Sequence, residues 1–145
     1  VFQEIEALLH RELPYMQNCP APLVCHMTDG EFTGADPQPI VERIKAMRNE
    51  DGNVLVENIF ISDNILPYPV PDPTVWPGID DTTQLNGKYA HKLRSMSSRL
   101  PEGYRVMMSE NGYAIAPNAY MMLPGMSPEL VQMGFVMSMS TPVAQ

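Results

Sequence analysis

The stretch His26-Met27-Thr28-Asp29-Gly30-Glu31 holds the residues best placed for chemistry. Asp29 follows an apolar run and precedes a glycine, so it falls where a buried strand ends and a tight turn begins. Gly30 permits a backbone turn that other residues resist. In open α/β sheets ligands bind at the carboxyl ends of the strands. A carboxylate there is a hard oxygen ligand suited to Mg²⁺ or Ca²⁺, and Mg²⁺ usually keeps several of its waters. Thr28 would assist by hydrogen bonding. One Asp makes no metal site, so partners must come from other strand ends. Asp63 is the carboxylate that follows the second apolar run. Asp29 also has a plainer reading, as a turn residue that hydrogen-bonds its own backbone. Glu31 reads as solvated, His26 as a packed or hydrogen-bonded strand histidine, and His10 and His91 as surface residues on the polar sides of helices. The Asp80-Asp81 pair reads as a solvated turn or an anchor for a helix N-terminus.

Other chemistries find little support. No Ser sits in a nucleophile elbow, and no Gly-rich loop is built to cradle phosphate. Neither Cys19 nor Cys25 has an activating His in a recognisable motif, and two cysteines make no disulfide framework. Cys25, inside an apolar run, reads as a small buried residue. Both read as free thiols in a reducing compartment, which places the protein in the cytoplasm.

The elements that must position Asp29 are written in the spacing of apolar residues. Phe2, Ile5, Leu8, Leu9 and Leu13 recur at helical intervals and stop near Pro14, which predicts an amphipathic helix over 2–13. Leu23 to Met27 is a short apolar run ending at a glycine turn, as a buried strand would. Asp36 as N-cap and Pro37 at the first helical position open a second helix, with Ile40, Val41, Ile44 and Met47 on its apolar face. Val54 to Ile61 is β-branched and nearly continuous, the pattern of a parallel strand covered on both faces. The order helix, strand, helix, strand predicts an α/β fold with a parallel sheet and right-handed crossovers. Two strands alone make no stable sheet, so more must come from elsewhere.

Beyond residue 62 the character changes. Pro67, Pro69, Pro71, Pro73 and Pro77 exclude a regular helix or central strand. Residues 63–84 therefore read as a wrapping loop, with Trp76 as a staple onto the domain in preference to an interface anchor. Leu85, Tyr89, Leu93, Met96 and Leu100 mark another helix. Pro101 opens a further one, with Gly112 as its C-cap. Ser127-Pro128 starts a last short helix, to about Val136. The methionines of the tail, from Met121 to Met139, read as adaptable core packing in preference to an interaction groove.

Composition bounds the partners. The chain has 145 residues, enough for one domain, with 44% hydrophobic and 18% charged residues, as in globular proteins. Its net charge of −8 argues against a nucleic-acid backbone as partner and suits a cation or a basic protein. No run of 18 apolar residues exists, so no membrane span is expected. The start at Val1 suggests a processed product or a piece of something longer.

The run LVCHMTDGEFTGADPQPIVERIKAMRNEDGNVLVENIFIS resembles the central part of a von Willebrand factor A (vWA) domain, of the bacterial intracellular type. The matching pieces are the apolar strand, the Thr28-Asp29-Gly30-Glu31 turn, the helix after Asp36-Pro37, and the Gly52-Asn53-Val54 lead into the next strand. The resemblance covers residues 1–62, as the C-terminal part of a Rossmann-like vWA core, and is weak beyond. Residues 63–84 would be its Pro-rich loop, and 85–145 the closing helices and Met-rich tail of the same domain. It implies a metal-ion-dependent adhesion site, a Mg²⁺-assisted protein-binding function and no enzyme activity. Such a site takes Asp-x-Ser-x-Ser from one loop, a Thr from a second and the Asp of the TDG-like turn from a third. Only the third is present, mapping onto Asp29 with Thr28 beside it. The first two loops would precede a helix like residues 2–13. A separate protein chain then supplies that N-terminal half, or it is absent, or the domain is degenerate and metal-free. The competing expectations are a metal-free interaction protein and a fragment of a metal-dependent hydrolase using Asp29 and Glu31.

Overall fold

A computed structural model describes residues 1–29, 35–61 and 65–140. Its centre is a three-stranded parallel sheet in the order β1-β2-β3, with β1 at Leu23–Thr28, β2 at Leu55–Phe60 and β3 at Met122–Pro124. Helices flank it: α1 (Phe2–Glu12), α2 (Gln38–Ala46), α3 (Lys88–Ser95), α4 (Glu102–Glu110) and α5 (Pro128–Met139). The mixed α/β, Rossmann-like arrangement expected from the alternating pattern is therefore present.

Local chemistry explains the boundaries. α1 gives way to a 3-10 turn, Leu13–Tyr15, once Pro14 enters. α2 begins one residue later than Pro37 alone would set it. Pro37 thus takes the N-cap position expected of Asp36, and Asp36, one residue before it, accepts the Gln38 N–H at 3.0 Å. Ser127 caps α5 by accepting the Leu130 N–H at 3.3 Å. Gly112 ends α4 with φ at +92°, a left-handed value that favours glycine.

Alternation along β2 divides the layers. Val56, Asn58 and Phe60 face one side, where α1, α2 and α3 pack. Phe2 of α1 meets His26 of β1 edge-on at 4.8 Å between ring centroids, and Tyr89 of α3 meets Phe60 at 5.2 Å. Leu55, Glu57 and Ile59 face the other side, under α5 with α4 beside it. Gly134 makes that contact close: a Cβ there would lie 2.7 Å from Ile59 Cδ1.

β3 is the element that sequence patterning does not announce. Its three residues are too few to show a period, and they sit among methionines that suit any element. Met121, Met122, Met133 and Met137 are fully buried, as core packing requires, whereas Met139 is largely exposed. Where β3 has not yet begun, Ser98 stands in for it. The Val56 N–H donates to Ser98 Oγ, and the Ser98 N–H donates to the Val56 carbonyl, each at 2.9 Å.

The Pro-rich segment is a staple. Trp76 is buried, and backbone bonds from Ala114 to Thr74, Ala116 to Pro77 and Tyr120 to Ile79 stitch it to the stretch before β3. Asp80 holds its turn by accepting from Thr82 and Thr83, and Asp81 pairs with Arg99 and Tyr120. These bonds hold the Asp80 and Asp81 carboxyls below the usual carboxylate range, the hydrogen bonds from Thr82 and Tyr120 respectively contributing most.

Candidate functional site

The carboxyl ends of the strands lie together at one edge of the sheet, because all of them are parallel. β1 delivers Thr28 and then Asp29 to this edge. The Thr28 carbonyl accepts from the Ile61 N–H at 2.8 Å, and the Phe60 carbonyl from the Gly125 N–H at 2.7 Å. Asp29 stands on an exposed bend directly after β1. As a hard oxygen donor at a strand end it fits a hydrated divalent cation.

Thr28 fits such an ion less directly. Its hydroxyl is partly buried and lies 3.3 Å from Tyr89 Oη, under α3. Consecutive strand residues alternate between faces, so Thr28 turns inward where the chain then exposes Asp29. Tyr89 is thus a neighbour that the sequence places only on a helix. Among the described residues, no group of three His, Cys, Asp or Glu side chains could hold a metal ion. Gly30, Glu31 and Asp63 lie outside the described residues.

His26 is engaged on the inner face. Asn58 Nδ2 donates to Ser97 Oγ at 2.9 Å, which leaves Asn58 Oδ1 to accept from His26 Nδ1 at 2.8 Å. The ring also packs on Phe2, so a packed, hydrogen-bonded histidine is what the fold contains. His10 and His91 are exposed.

Cys25 departs from expectation. It is exposed, not buried, because β1 is one of the two edge strands and, unlike β3, its α5-side face is left open. Its register partner on β2 is Glu57, a residue with no surface exposure. Neither carboxyl oxygen of Glu57 has a well-formed hydrogen bond among the described residues; the nearest donor is the weak Cys25 thiol, whose bond draws the carboxyl slightly down. Burial pushes this carboxyl up to about 8. Partial burial of the sulfur, followed by the Glu57 charge, pushes the Cys25 thiol up to about 12. The signal for Glu57 in the sequence is a lone acid within an otherwise apolar and amide strand run.

A concavity of about 380 Å³ lies at the opposite end of the strands, lined by Ala21, Asp51, Asn53, Leu55 and Tyr104 among others. Asp51 is already committed there, accepting the Ala21 N–H at 2.9 Å. Among the described residues no helix is long and apolar enough to cross a membrane. No family profile, no curated protein and no solved structure matches the chain.

Proposed function

We propose that this chain is part of a metal-ion-dependent protein-binding module of the vWA type, with Asp29 as the ligand it contributes and Thr28 as the neighbour that orients the turn. The observation that carries the reading is an exposed Asp29 at the carboxyl end of an outer strand in a parallel sheet. When bound, Mg²⁺ would offer an open coordination position to a carboxylate of the target protein. Asp29 would hold the ion at the sheet edge. Thr28, fixed against Tyr89, would keep the strand end in place. The remaining ligands would come from a separate chain bearing Asp-x-Ser-x-Ser. Two free thiols suit a cytoplasmic setting for such a pair.

Native mass spectrometry with and without Mg²⁺ tests this on the purified protein and on any chain that co-purifies. The expected result is a complex with one divalent ion. Changing Asp29→Ala weakens its Mg²⁺ affinity by at least about tenfold, the scale seen when metal-site residues are lost. A lone 16.2 kDa species with no ion and no Mg²⁺ response sinks the reading. So does a complex indifferent to Asp29→Ala. Either result leaves a metal-free interaction protein, which the exposed Met27, Phe135 and Met139 favour as the second reading.

A further inference from the structure

The outer edge of β1 carries unused backbone chemistry. The Leu55 N–H donates to the Pro22 carbonyl, and the Ile61 N–H to the Thr28 carbonyl, in the parallel ladder with β2. That register turns the backbone groups of Val24, His26 and Thr28 toward β2. It leaves those of Leu23, Cys25 and Met27 on the outer side, where no strand pairs among the described residues. Natural edge strands are guarded by Lys, Pro, bulges or inward charges. LVCHMT has no such guard. The side chains on its α5 side include exposed Cys25 and Met27, and α5 exposes Phe135 and Met139.

Glu57 supplies the second observation. It lies on the same face, one strand further in, opposite Cys25 in register and fully buried; neither oxygen has a well-formed hydrogen bond among the described residues, and the weak donor beside it is the Cys25 thiol. A buried acid with only a weak thiol donor beside it is costly, and a cation or strong donor brought to it relieves that cost.

We propose that the outer edge of β1 takes an extended strand from a partner protein, and that this strand carries a lysine or arginine whose charged head passes over Cys25 to Glu57. Adjacent strands lie about 4.8 Å apart, so an added strand stands about 10 Å from β2. An extended lysine or arginine reaching about 6 Å, with a glutamate reaching about 3 Å, spans that gap at ordinary bond lengths. Cys25 is small enough to let the side chain lie across it. A second copy of this chain fits less well. It brings another −8 of net charge. In its own LVCHMT strand the one titratable nitrogen, on His26, belongs to the face away from Glu57. The inference shares with the adhesion-site reading only the need for a second chain, and no metal enters it.

The test uses a fluorescein-labelled peptide of alternating Thr and Val with one central Lys, in EDTA so that metal binding plays no part. Binding is read by anisotropy, and exchange of the Cys25 and Met27 amides by NMR. The Lys peptide should slow exchange at both amides. Replacing its Lys by Glu, or changing Glu57→Gln in the protein, should weaken binding about tenfold, as loss of one charge-assisted pair does. N-methylation of the peptide's edge-facing amides should abolish it without touching the protein's fold. Unslowed amides, or equal binding of the Lys and Glu peptides, would overturn the proposal. So would slowed amides in peptide-free protein that sediments as a dimer, which would make a second copy the occupant.

Discussion

Glu57 sits where its ionised form is most expensive, and that makes the protein's stability depend on pH in a definite direction. Its folded pKa is raised to about 8, above the ordinary carboxylate value, so the folded chain holds this proton more tightly than the unfolded chain. The favourable contribution is complete below the unfolded value and is lost as pH rises toward about 8. Denaturant titrations of wild type and Glu57→Gln at pH 5 and pH 8 should show similar stabilities at the lower pH. At the higher pH the variant should gain about 3–4 kcal/mol relative to wild type. A constant difference at both pH values would mean that Glu57 ionises freely in the folded state. Asp29 was legible from its place between an apolar run and a glycine. The partners that fix its surroundings were not. Tyr89 reaches Thr28 from a helix sixty-one positions away, and nothing local in the sequence couples them. Cys25 departs from its expected burial for a related reason: an apolar run implies burial only when something covers the strand, and the α5-side face of the edge strand β1 is left open at Cys25 and Met27.

Among elements, the contact of α5 with β2 and β3 is the tightest constraint on the sheet. Gly134 permits it, since a Cβ there would also lie 3.1 Å from Ile59 Cγ1 and 3.6 Å from Leu123 Cγ. Gly134→Ala should cost about 1–2 kcal/mol, overpacking outweighing the gain in helix propensity. Thermal unfolding measures this, and adding Ile59→Val, which removes the clashing Cδ1, should recover most of the loss. No coupling between the two changes would show that the helix simply shifts away. Helices α1 and α4 and strands β1 and β2 could be read from periodicity and from Pro and Gly punctuation, to within a residue or two of their ends; α2 stops at Ala46, where Met47 turns extended, short of the Asp51-Gly52 turn that its pattern points to. α3 begins later than its apolar spacing suggests, after Gly87 at φ +85°. α5 runs past Val136 to Met139, because methionine gives no stop signal. β3 escapes because three residues define no period, and its pairing with β2 is a tertiary fact.

At the scale of the whole molecule, the Pro-rich segment closes one side of the core, and Trp76 is its anchor. Trp76→Ala should cost about 3–5 kcal/mol, the range for losing a large buried aromatic. It should also open residues 66–78 to limited proteolysis before the sheet and helices are attacked. Unchanged protease resistance would assign the segment's order to its backbone bonds alone. The all-parallel sheet has a further consequence, in time. Leu23 meets Leu55 across one crossover, while Asn58 meets Met122 across a stretch twice as long. Longer closures cost more entropy, and parallel pairings are slow to form. A nascent chain therefore pairs β1 with β2 early, around α2, and waits for β3 and α5, which leave the ribosome later. During that wait the apolar strand LVENIF has one edge open to any other chain in reach. The net charge of −8, silent in the folded core, then becomes what keeps unfinished copies apart.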